Sequence, residues 1–195
     1  MNSLKLTTLA LGFLLPAAAF ATPVCPNLGF ATGCTTVITV NSAGTLTAGA
    51  GPSPSPNYDG SDDQLVGFYN NSSLTISSIN LNGGAGNPIF GFDGDGITTF
   101  GDPGNKSDTT GYGGPDSNFS NISLDLTKGT VNFVTAIAPG GFTYFALEDA
   151  FSASTPITGT VGGGGTGVTP EPSTLLLLGT GLVGVAASVR RRLFN

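Results

Sequence analysis

Glycine and proline interrupt this chain too often for a long helix to run through its interior. The 195 residues include 31 glycines and 13 prolines, and each of these weakens or breaks helical backbone. Between residues 22 and 169 no 3.6-residue apolar period survives; short alternating or apolar runs recur instead. Candidate strands are residues 35–40, 64–69, 74–81, 89–92, 122–126, 130–137 and 142–147. Lys128-Gly129 is expected to turn a hairpin between the fifth and sixth, and Pro139-Gly140-Gly141 another before the last. Residues 43–56, where Pro52, Pro54 and Pro56 alternate with small residues, read as a linker or exposed loop. The pattern predicts an all-β fold, an antiparallel β-sandwich of about seven short strands. With 39% hydrophobic residues and 13 phenylalanines, the chain has enough apolar surface to build a core.

Composition also removes chemistry. There is no histidine and no tryptophan. Without histidine, Ser-His-Asp and Cys-His nucleophile systems cannot be assembled, nor can ordinary zinc, haem or facial-triad iron sites. Between residues 22 and 169 two lysines stand against eleven acidic residues. A surface of that sign repels phosphate backbones, so no nucleic-acid partner is expected.

Residues 1–21 read as a signal peptide. Lys5 gives a weakly positive start, residues 9–19 form an apolar run too short to span a bilayer, and Ala19-Phe20-Ala21 fits a small-x-small cleavage site. The only cysteines, Cys25 and Cys34, follow that cut. In an oxidising compartment they are expected to form a disulfide, closing an N-terminal segment that continues through the linker to residue 56. The β-sandwich domain is placed at residues 57–160.

The other end carries a second address. Residues 161–169 are a glycine-rich linker, Pro170-Glu171-Pro172 follows, and residues 173–189 are uncharged and rich in leucine and glycine. As a helix this stretch is about 25 Å long, at the short end of a single transmembrane helix. Arg190, Arg191 and Arg192 come next and would remain cytoplasmic, leaving the body exported. A proline-bracketed acid, an apolar span and a terminal arginine cluster together resemble the PEP-CTERM sorting tail, here residues 170–195. The fragments 58–67, 89–97 and 111–116 are similar to bodies associated with such tails. The resemblance implies that Pro170, Glu171 and Pro172 are the sorting motif and that Arg190, Arg191 and Arg192 are the retention signal. It also implies an exosortase partner, transient anchoring in the inner membrane of a Gram-negative cell, and delivery to the surface or extracellular matrix. Members of the family commonly accompany exopolysaccharide and biofilm genes.

Within the body, Asp59, Asp62, Asp63, Asp93 and Asp95 are the densest carboxylates. Calcium takes six to eight oxygen ligands, and clustered Asp-Gly turns can supply them, although no EF-hand loop is completed here. The competing reading makes these residues turn formers with their charge in water. Tyr58, Tyr69, Tyr112 and Tyr144 are expected as half-buried packing residues rather than sugar platforms. Together these features describe an exported structural or interaction protein with no catalytic residues, sorted by an exosortase. The alternatives are a calcium-stabilised, glycan-binding adhesin module and, further off, a carboxylate-based polysaccharide hydrolase.

Overall fold

The computed structural model describes residues 25–149. The expected signal peptide, the glycine-rich linker, the Pro170-Glu171-Pro172 segment, the apolar span and the arginine cluster lie outside the described residues. Among the described residues no helix is long and apolar enough to cross a membrane.

The described chain is all-β. Its strands are β1 (Thr36–Val40), β2 (Leu46–Ala50), β3 (Gln64–Asn70), β4 (Ile76–Asn82), β5 (Ser117–Ser120), β6 (Lys128–Ile137) and β7 (Phe142–Leu147). A single 3₁₀ turn, Ile97–Phe100, lies between β4 and β5. One sheet has the order β2-β1-β3-β7 and the other β4-β6-β5.

Side-chain alternation explains how the two sheets meet. Ile38, Val40, Val66, Phe68, Phe145 and Leu147 project from one face of the first sheet. They share a core with Ile76, Ile79, Leu81, Val131, Phe133 and Ile137 of the second. The opposite face of the first sheet is also covered. Leu65 and Ala146 are buried there with Cys25, Cys34, Tyr58, Ile97 and Tyr112, contributed by the N-terminal segment and the long loops. Six of the seven β3 residues are therefore buried, which strict amphipathic alternation would not give.

Cys25 and Cys34 form the expected disulfide. It lies flat on β3 because position 67 is glycine. A Cβ there would stand 2.8 Å from Cys34 Sγ and 3.0 Å from the Phe142 ring.

Five of the expected strands are present, but the sheet departs from the reading in several places. β1 and β3 run parallel, with Ile38 opposite Phe68, so the sandwich is not wholly antiparallel. Residues 43–56 are not simply a linker. They supply β2, antiparallel to β1, after a turn in which Asn41 Oδ1 accepts from the Ala43 and Thr45 amides at 3.0 Å. Residues 51–63 then make the crossover that a parallel pair requires. Residues 89–92 are not a strand, though Ile89 and Phe90 are buried: the Gly91 amide donates to the Pro88 carbonyl at 2.7 Å and curls the chain. Residues 122–126 alternate but pair with nothing as a strand; Asn121 just before them and Leu126 at their end have positive φ. Ser117–Ser120 supplies β5 instead, alongside β6. Lys128-Gly129 lies inside β6 rather than at a turn. Pro139-Gly140-Gly141 does turn, but it carries the chain from the second sheet to the first rather than closing a hairpin.

Candidate functional site

Strand register gathers the acidic residues. Thr36 lies opposite both Ala50 and Val66, and Gln64 lies opposite Leu147. Hence β1 and β3 begin, and β2 and β7 end, at one end of the first sheet. Asp63 stands immediately before β3 and Glu148 immediately after β7, one step beyond the Gln64–Leu147 pair. The loop before β3 brings Asp59 to the same end, and the loop after β4 brings Asp93 and Asp95.

Two groups of three carboxylates result, and they share a member. One oxygen from each of Asp59, Asp63 and Asp95 lies within 4.8 Å of the others, and the same holds for Asp93, Asp95 and Glu148. Four of the five aspartates singled out in the sequence thus converge. Asp62 does not: its side chain is exposed, outside both groups. Glu148, absent from the sequence reading, takes its place. It has no Asp-Gly neighbourhood to mark it, and only the pairing of β3 with β7 puts it beside Asp63.

Two buried tyrosines hold the carboxylates. The Tyr58 hydroxyl donates to Asp63 Oδ2 at 2.6 Å, and the Tyr112 hydroxyl donates to Asp95 Oδ1 at 2.7 Å. The Tyr112 oxygen also lies 3.4 Å from Asp63 Oδ2 and 3.3 Å from Asp93 Oδ1, but its single proton serves one partner at a time. Both rings are fully buried, as packing residues rather than sugar platforms. Tyr112 stacks against Phe92 with centroids 4.5 Å apart, and Phe92 in turn against Phe119 at 4.7 Å. Asp59 is fixed by its own loop, its two oxygens accepting from the Ser61 and Asp63 amides at 2.9 and 3.1 Å. The turn-former reading is therefore correct for part of what Asp59 does. Asp108, outside the cluster and not among the aspartates singled out in the sequence, forms a turn in the same way, its carboxylate accepting from the Thr110, Gly111 and Gly113 amides.

The electrostatics of the cluster are uneven. Asp63 is only 2% exposed, and its Oδ1 is buried with no hydrogen-bond partner; Glu148 Oε2 is in the same position. Burial pushes the Asp63 carboxyl up to about 8, with neighbouring acids adding to the shift and the Tyr58 hydrogen bond opposing it. Glu148 is also raised, chiefly by burial. Asp95, nearer to water, is lowered by the hydrogen bond from Tyr112. Both tyrosines are driven above their ordinary range, first by burial and then by the carboxylates beside them. All the side-chain donors in the cluster are oxygen, and both cysteines are committed to the disulfide.

By fold and site, the described chain is a two-sheet β-module with a knot of carboxylates at one sheet end. A family model for the PEP-CTERM protein-sorting motif matches residues 168–192, so this chain carries that motif. The match takes in Pro170, Glu171, Pro172, the apolar span and all three arginines. No curated protein and no solved structure matches the chain.

Proposed function

We propose that this chain is a non-catalytic surface protein of a Gram-negative bacterium. It is exported, held briefly in the inner membrane, cut by an exosortase near Pro170-Glu171-Pro172, and left at the cell surface or in the exopolysaccharide matrix of a biofilm. The observation that carries this reading is the sorting motif at residues 168–192. Asp63, the most deeply buried acid of the cluster, is placed to support an interaction site rather than to reach a glycosidic bond. An open cleft of about 410 Å³ crosses β4 and β6, and its polar side chains are engaged within the protein: the Thr130 hydroxyl donates to Asn80 Oδ1 at 2.7 Å, and Asn82 Oδ1 accepts from the Gly84 amide at 3.0 Å.

The test is the intact mass and location of the mature protein in its host, with and without the exosortase. The expected mature form begins near Thr22, ends near Pro172 and disappears from the surface when the enzyme is deleted. Glu171→Ala, or glutamine at Arg190, Arg191 and Arg192, should leave unprocessed precursor in the membrane. Normal maturation of both variants would overturn the reading.

A further inference from the structure

We infer that the carboxylate knot at the end of β3 and β7 is a calcium site, built from Asp59, Asp63 and Asp95 and extended through Asp95 to Asp93 and Glu148. The inference is independent of where the protein is delivered. Crowded acids alone would not carry it, since acidic turns are common on protein surfaces. What points to a ligand is an oxygen with nothing to bind. Asp63 Oδ2 is occupied by the Tyr58 hydroxyl, while Oδ1 of the same nearly sealed side chain has no partner. A buried polar atom left in that condition costs about 1–3 kcal/mol, more if charged. Glu148 Oε2, buried in the adjoining group, repeats the pattern.

Spacing and donor type narrow the ligand. Calcium binds oxygen at about 2.3–2.6 Å, so two oxygens on one ion can be as much as about 5 Å apart. Each group of three meets this limit, with oxygens within 4.8 Å of one another. Magnesium requires a near-ideal octahedron and keeps most of its waters, which suits an uneven, partly buried knot poorly. Zinc and copper favour imidazole or thiolate, and the cluster offers neither. The tyrosines orient the ligands by donating to the carboxylates, as groups behind a metal's immediate ligands commonly do. A bound divalent cation would also offset the repulsion among five acids. The described residues contain only two basic side chains, Lys106 and Lys128, both exposed. Such an ion would join the loop before β3, the loop after β4 and the end of β7 at one point.

Terbium replaces calcium in oxygen sites and luminesces when excited through a nearby aromatic ring. The chain has four tyrosines and no tryptophan, and two of those tyrosines hydrogen-bond the knot. The full-length chain in detergent, stripped with a chelator, should show saturable, one-to-one terbium luminescence that calcium displaces. Calcium should also raise its melting temperature. Asp95→Asn, at a partly exposed position and checked for folding by circular dichroism, should weaken binding by about tenfold or more. Asp62→Asn should bind as the unaltered chain does. If Asp63→Asn does not fold, Asp95→Asn and the unaltered chain decide the matter. Two results would overturn the site: no saturable binding and no thermal shift up to millimolar calcium, or undiminished binding by folded Asp95→Asn. The first would mean that the knot takes no cation, the second that the bound cation sits elsewhere on the chain.

Discussion

Asn70 shows how one side chain can tie two sheets together. It is fully buried at the end of β3, and its amide nitrogen donates to the Leu74 carbonyl at 2.7 Å and the Ile137 carbonyl at 2.9 Å. Its amide oxygen accepts from the Ser72 amide and hydroxyl at 3.1 and 2.7 Å. Asn70→Ala would strip partners from several buried groups at once. We expect a loss of about 2–4 kcal/mol in urea denaturation, since each orphaned group costs about 1–3 kcal/mol; a loss below about 1 kcal/mol would contradict the account. Asp63 makes a different prediction, about pH. Its folded carboxyl titrates at about 8 against an ordinary 3.8, so between those values folding takes up a proton. In chelator, its contribution to stability should be complete below about pH 4 and fall away as pH rises towards 8. Glu148 shifts in the same direction and Asp95 in the opposite one, while Asp59, Asp93, Tyr58 and Tyr112 complete the titratable surroundings. Thermal melts of the chelated protein across that range should fall with pH, and Asp63→Asn should flatten the slope.

At the scale of elements, the contact between β3 and the disulfide leaves no room for a side chain at position 67. Gly67→Ala drives a methyl group into Cys34 Sγ and the Phe142 ring. Overpacking of this kind costs about 1–3 kcal/mol. Replacing Cys25 and Cys34 with alanine should cost about 2–3 kcal/mol for so short a loop. Combined, the changes should cost less than their sum, because the alanines vacate the space the new methyl needs; a double-mutant cycle measures the difference. The elements that sequence alone revealed are those whose alternation is written in β-branched or aromatic residues, as in β1, β4, β6 and β7. β2 and β5 were not legible, because Leu-Thr-Ala-Gly-Ala and Ser-Asn-Phe-Ser carry little apolar signal and owe their conformation to β1 and β6. The Asn41 and Gly44 turn, with Gly44 at φ 76°, was the one local hint of β2. Residues 122–126 misled in the other direction. Their alternation is genuine, yet Ser123 bonds Asp125 and Lys128 and closes a local turn, leaving Leu124 105% exposed. The aspartates of the knot were legible from their density, whereas Glu148 required a pairing between distant strands.

At the scale of the whole molecule, address and body should be separable. Glu171→Ala is expected to change the mass and location of the mature protein without moving its melting temperature. Gly67→Ala should do the reverse, lowering the melting temperature while the tail is still processed. Mass spectrometry and calorimetry on the same two variants check both halves, and a melting shift in Glu171→Ala would mean that the tail packs on the body. The pairing of Gln64 with Leu147 also fixes an order in time. A chain that emerges N-terminus first can close its Cys25–Cys34 loop almost at once, because that contact is local. The first sheet lacks one border until β7, the last of the described strands, arrives, and distant pairings of this kind form slowly. Until then the described chain is a clipped but unfinished sheet, and the last of the described strands brings both the missing border and, in Glu148, the last acid of the knot.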